Sequence, residues 1–220
     1  MATQIREAGY SLGEEIAHAV SHGIGILLSI AGLAVLVAFA SLYGDAWHIT
    51  SSSIYGATLI LLYTASTLYH GIPQPAAKRV LQRLDHAAIF LLIAGTYTPF
   101  TLVNLRGGWG WTLFGLVWGF ALLGVVLETV LKRRIKWLSL SLYLGLGWLV
   151  VIAIEPLLDA VETGGLILLL AGGLCYSLGV IFYVWKRLTY HHAVWHLFVM
   201  AGSLLHFFSI FFYVLPPATS

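Results

Sequence analysis

In the segment HAVWH, His192 and His196 stand four residues apart, so on a helix both imidazoles project from one face, about 6 Å apart at Cβ. That is the spacing with which helices present two histidines to a zinc ion. No glutamate follows His192, so the metalloprotease form of the motif is absent. Ser66 and His70, in STLYH, are likewise four apart and share a face. A third imidazole from His70 would complete a three-histidine set whose fourth position stays open, the arrangement a catalytic zinc keeps for water. Asp85, in LDHAA, is placed to accept a proton from that water or to hydrogen-bond to it. Each residue also has a plainer reading. A single histidine near a helix end commonly sits at a membrane interface, and an aspartate at a helix start serves as a cap. The case for a metal rests on their occurring together at one depth.

That depth follows from the elements that must carry them. The chain has 220 residues, 60% hydrophobic and 9% charged, where a soluble domain carries about a quarter charged residues. Apolar stretches of about 20 residues recur along its length, the signature of transmembrane helices. Seven spans are predicted: Gly23–Tyr43, Ser51–Tyr69, His86–Leu105, Trp109–Leu127, Leu138–Ile154, Gly164–Trp185 and Ala193–Leu215. The predicted fold is an all-α membrane bundle of seven helices, one domain over residues 1–220. Its sizeable extramembrane parts are a cytoplasmic N-terminal segment, Met1–His22, and a loop, Gly71–Leu84. The first span is too long for a signal-peptide core and reads as an uncleaved anchor. The single cysteine, Cys175, lies in the sixth span and excludes an intrachain disulfide.

Ten of the eleven Lys and Arg residues fall on one side of this arrangement: Arg6, Lys78, Arg79, Arg83, Lys132, Arg133, Arg134, Lys136, Lys186 and Arg187. Arg106 alone lies opposite, in company with Asp45, Glu155, Asp159 and Glu162. The positive-inside rule then places the N-terminus in the cytoplasm and the C-terminus outside a cell membrane. With that topology His22 opens the first span, Ser66 and His70 close the second, Asp85 and His86 open the third, and His191, His192 and His196 open the seventh. Four spans deliver polar groups to the cytoplasmic face, and ionisable groups at membrane depth are costly enough to be presumed functional. Spacing to His196 favours His192 over His191 as the inward imidazole. Glu15, His18 and His22 share a helical stripe, either behind the site, at lipid headgroups, or as the polar part of an amphipathic helix. His206 lies about 21 Å beyond His192 along a helix and is expected to hydrogen-bond between helices. His48 falls on the outer side.

These motifs carry a resemblance. EEIAHAVSHGIG, STLYH, LDHAAIFLLIAGTYTPF and HAVWHLFVMAGSLLHF, in this order over nearly the whole chain, resemble the hemolysin III family. That family is the bacterial branch of the progestin and adipoQ receptor proteins, which include the adiponectin receptors. The wider superfamily also holds alkaline ceramidases and is regarded as one of metal-dependent membrane hydrolases. The resemblance implies a zinc ion on His70, His192 and His196, with Asp85 at the zinc-bound water and Ser66 beside the site. The receptors' long N-terminal domain has no counterpart here, so no hormone-receptor role is carried over.

Three functions compete on this reading. One is a zinc-dependent hydrolase of a lipid amide or related lipid, with Asp85 as general base and Ser66 holding the oxyanion or the water. Another is a non-enzymatic, zinc-stabilised signalling or homeostasis protein. The third is a channel or pore of the hemolysin type, against which the spans show few polar stripes. Membrane lipids are the expected partners, and no nucleic-acid signature is found. Gly115 and Gly119, and Gly172, Gly173 and Gly179, mark close-packing faces within the bundle or in a homodimer. Pro99 is expected to kink the third span, and Trp47, Trp109, Trp111 and Trp137 to anchor span ends.

Overall fold

The computed structural model describes residues 9–131 and 135–217, so Arg6, Lys132, Arg133 and Arg134 of the charge count lie outside the described residues. Eight α-helices follow one another among them: α1 (Leu12–Tyr43), α2 (Ala46–Gly71), α3 (Pro75–Pro99), α4 (Gly108–Val130), α5 (Lys136–Gly147), α6 (Ile154–Ala160), α7 (Thr163–Val184) and α8 (His191–Tyr213). No strand occurs among the described residues. Taking α5 and α6 as one rod, six rods are long and apolar enough to cross a membrane: α1, α3, α4, α5–α6, α7 and α8.

Helix α2 stands apart from those six. Its 26 residues are long enough, but serines, threonines and tyrosines dilute its apolar character. It is also thoroughly enclosed, with Ser51, Ser52, Tyr55, Thr58, Tyr63, Ser66, Tyr69 and His70 all buried. It packs between α1 and α3, and the Tyr55 and Tyr63 hydroxyls donate to the carbonyl and hydroxyl oxygens of Ser203 on α8. A helix shielded from lipid by its neighbours can carry polar groups, provided they find partners inside. Glycine permits the tight contacts. A Cβ at Gly25 of α1 would strike the Tyr63 ring, and one at Gly95 of α3 would strike Thr58. Beyond these pairs, α1 also meets α8, α4 lies on α3, and α7 lies along α8. Gly172 and Gly179 pack inward against His206 and Trp195, whereas a Cβ at Gly115 or Gly119 would meet nothing.

The helices depart from the expected spans in three places that bear on the site. Helix α1 begins at Leu12, well before Gly23, because Ser11 and Glu14 close a capping box around its first turn. Much of the segment expected to be extramembrane is therefore helix, and it carries Glu15, His18 and His22 into the bundle. Helix α3 begins at Pro75, whose missing N–H costs nothing in a first turn. Most of the predicted Gly71–Leu84 loop is thus helical, and Asp85 lies almost three turns inside α3, where it cannot cap it. The fifth rod is broken after Gly147 by a short 3₁₀ segment, Leu149–Ala153. The Tyr97 hydroxyl fills the break, accepting from the Val150 N–H at 2.9 Å and donating to the Gly147 carbonyl at 2.8 Å. Past Pro99, α3 continues as a π turn, Phe100–Asn104, in which Leu105 N–H reaches back five residues to the Phe100 carbonyl.

Candidate metal centre and its cavity

His70 comes from the last turn of α2, and His192 and His196 from the first two turns of α8. All three are buried, and one ring nitrogen of each lies within 4.8 Å of the others. The entry to α8 is strained. Tyr190, its N-cap, sits at φ 58°, a left-handed conformation uncommon for a tyrosine. Its N–H donates to Glu14 Oε1 at 3.3 Å, tying α8 to the start of α1. His191 turns away, its Nδ1 donating to the Phe182 carbonyl at 3.0 Å. His192, rather than His191, lies in the close group with His70 and His196.

Helix α1 packs its polar stripe against this trio. Glu15 Oε2 lies 2.7 Å from His70 Nδ1, and Ser21 Oγ lies 3.0 Å from His196 Nδ1. His18 is wholly buried among the rings, 4.6 Å between centroids from His70 and 4.8 Å from His192. Tyr10, just before α1, covers the cluster from the outside, its ring 4.8 Å from that of His18 and 5.3 Å from that of His192. Burial raises the Tyr10 phenol's pKa, so its oxygen keeps its proton and accepts from Lys186 Nζ at 3.4 Å. Burial, followed by the Lys136 ammonium, pushes Lys186 down.

The donor set suits a metal. Within the trio, Nε2 of His70 and Nδ1 of His192 are buried without a hydrogen-bond partner. Each buried orphan of this kind costs about 1–3 kcal/mol, so a cation accepting lone pairs here answers a real deficit. Three imidazoles fit a borderline divalent ion such as zinc. Glu15, His18 and His70 form a second close group. There, however, Lys78 Nζ lies 2.8 Å from Glu15 Oε1, and the ammonium opposes another cation.

A cavity of about 140 Å³ opens from this cluster. Ser66, Asp85, His192 and His196 line it, and it continues past apolar side chains of α3, α5 and α7 to His206. From His196 to His206 that is about 15 Å of α8. Ser66 and Asp85 are both buried, so both sequence-predicted polar partners of the metal set face the same space as two of its histidines. The broken segment at Gly147 and Trp148 also lines the cavity, in keeping with irregular backbone being tolerated at membrane depth beside an internal space. Other histidines have local roles. His86 Nδ1 donates to the Gln82 carbonyl, His206 Nε2 donates to Leu169 of α7, and His48 helps Asp45 cap α2. The interhelical bond of His206 is the one expected of it.

Sequence reasoning missed the centrality of His18, the cover formed by Tyr10 and the contact of Ser21 with His196. The S-x-x-E pattern of Ser11 and Glu14, a helix-start signal, was the clue that the histidine stripe of α1 is helical.

Residues 10–207 match the model of the family described as haemolysin-III related. The chain is 48% identical to a hemolysin-3 homolog of Bacillus subtilis (strain 168) over 204 residues, 93% of this chain and 96% of that protein. It is 47% identical to hemolysin-3 of Bacillus cereus over 206 residues, 94% of each chain. At 27% identity over 207 residues, 91% of this chain and 84% of the relative, it is similar to the human monocyte to macrophage differentiation factor.

Proposed function

The chain belongs to the haemolysin-III related family, and on that premise we propose that it is a zinc-binding, seven-span protein of the cell membrane that hydrolyses a lipid amide or a related lipid. The observation that carries this reading is the shared cavity. Ser66, Asp85, His192 and His196 face an apolar space that extends about 15 Å into the bundle. A structural metal site needs no such space, whereas an acyl chain does.

His70, His192 and His196 would hold the zinc. When bound, the ion supplies Lewis-acid polarisation of the scissile carbonyl and a water whose pKa falls toward about 7. Asp85 accepts the proton of the attacking water and returns it to the leaving amine. The Ser66 hydroxyl donates to the developing oxyanion. The walls from α3, α5 and α7 hold the acyl chain and keep bulk water out. Helix α2, sheltered at the centre, brings the number of spans to seven on this reading, and the bias of basic residues favours the histidine end in the cytoplasm. Membrane lipids are the partners, and the open face at Gly115 and Gly119 leaves room for a second copy.

A second reading takes the metal as a clamp joining α2 to α8, without turnover. Its support is that the three histidines come from those two helices alone. Incubating purified protein with a lipid extract, with and without a chelator, separates the two. Chelator-sensitive release of fatty acid supports the hydrolase. No release, with a chelator-sensitive melting temperature, supports the clamp.

A further inference from the structure

Helix α1 contributes no member of the three-histidine set, yet it packs against all three and hydrogen-bonds two of them, His70 and His196. His70 Nδ1 faces Glu15 Oε2 at 2.7 Å, and a carboxylate accepts only, so Nδ1 carries the proton and donates. The lone pair of His70 is then on Nε2, which is buried and has no hydrogen-bond partner. At His196 the logic runs through a hydroxyl. Ser21 Oγ–H donates to the His18 carbonyl at 2.9 Å, because a carbonyl can only accept. Its one proton is thereby committed, and Ser21 Oγ must accept from His196 Nδ1 at 3.0 Å. His196 is thus also protonated on Nδ1 and bears its lone pair on Nε2.

Glu15 is itself held. Lys78 Nζ of α3 bonds its other oxygen at 2.8 Å and also donates to the Tyr69 carbonyl at 3.1 Å. The carboxylate therefore cannot swing away from His70. His18, whose carbonyl orients Ser21, lies between the two contacts on the same stripe. One helix face thereby sets the tautomer of one imidazole on α2 and one on α8.

We infer that Glu15 and Ser21 are positioning residues of the metal site, fixing His70 and His196 as Nδ1–H tautomers that offer Nε2 to the ion. This rests on the reading of His70, His192 and His196 as metal ligands and extends it to a helix that supplies no ligand. Partners of this kind raise a ligand's basicity and hold its ring plane, and losing one typically weakens metal affinity about 10–100-fold. The two are not equivalent. Glu15 adds negative charge to His70, whereas Ser21 gives His196 a neutral acceptor.

The test is cobalt(II) binding to the purified full-length protein, followed by its visible absorption, alongside melting of the metal-free form. Glu15→Leu and Ser21→Ala should each weaken cobalt binding about 10–100-fold. Glu15→Gln should fall between wild type and Glu15→Leu, because its amide oxygen still accepts from Nδ1 but carries no charge. In Glu15→Gln and Ser21→Ala the metal-free melting temperature should stay near that of wild type, whereas a purely structural role would lower it and leave cobalt affinity unchanged. Ser21→Ala removes one atom, so it keeps the test open if Glu15→Leu does not fold. Wild-type protein that binds no cobalt overturns the metal reading and this inference with it. Tight binding by wild type, Glu15→Leu and Ser21→Ala alike leaves the metal reading standing and overturns the positioning roles.

Discussion

His22 and His196 stack ring on ring, their centroids 3.5 Å apart and their planes 7° from parallel. His196 thus has a partner on its face as well as the Ser21 contact at its edge, and its plane is fixed in both senses. Neither nitrogen of His22 has a hydrogen-bond partner, and His22 is not in either close metal-competent group. Its role toward His196 is that of a flat surface. His22→Phe should therefore keep the metal and the fold. His22→Ala should lose the stacking, worth about 0.5–1.5 kcal/mol beyond the buried area. Metal content and melting in detergent check both. Loss of metal in His22→Phe would instead make His22 a ligand.

One metal ion per chain is expected in purified protein, by elemental analysis. The paired substitution His192→Ala/His196→Ala should remove it, since it takes two of three imidazoles from one face. Stripping the wild type with a chelator should lower its melting temperature, because an ion that binds only the folded state stabilises by about 2.7 kcal/mol at a hundred times its dissociation constant. A melting temperature indifferent to chelator would count against the site.

Asp85→Asn keeps the shape of the side chain and removes its charge. On the proposed reading three histidines are enough protein ligands for a catalytic zinc, so this variant should fold and retain its metal. It should lose about 10²–10⁴-fold in turnover of a lipid amide, the usual worth of a general base. Unchanged turnover would remove Asp85 from the mechanism. Loss of metal would make it a ligand.

Tyr97 holds the broken fifth rod through one hydroxyl that both donates to Gly147 and accepts from Val150. Tyr97→Phe leaves the half-buried Val150 N–H without this acceptor, and the loss should cost toward the lower end of the roughly 1–3 kcal/mol of a fully buried orphan donor. The variant should melt lower with its metal content unchanged. A melting temperature equal to wild type would show that the break needs no such support.

For orientation, single cysteines can be placed at two exposed sites, Gln74→Cys and Arg106→Cys, with Cys175 replaced by serine. An impermeant thiol reagent applied to intact cells should label Arg106→Cys and spare Gln74→Cys. The reverse pattern would invert the bundle.

The sequence by itself determined the class of the fold and pointed to His70, His192 and His196, which the structure brings close together. Long apolar runs with few charges have one stable solution in a bilayer, the helix, since every backbone group must be satisfied within its own segment. The four-residue step from His192 to His196 is a local property of any helix, legible without knowing its neighbours. What the tertiary structure alone decided is where α1 goes. The stripe of Glu15, His18 and His22 reads equally well as an interfacial helix or as part of the site, because periodicity states which residues share a face and not what that face meets. Only packing shows that Glu15 touches His70, 55 residues away, and that Ser21 touches His196, 175 residues away. The polar character of α2 has the same source. Its serines and tyrosines weaken it as a membrane span on hydropathy, and only its place between α1 and α3, with its tyrosines bonded to Ser203 of α8, explains why a bilayer protein can carry them. Contacts between residues far apart in the chain leave no periodic trace, so a single sequence does not record them.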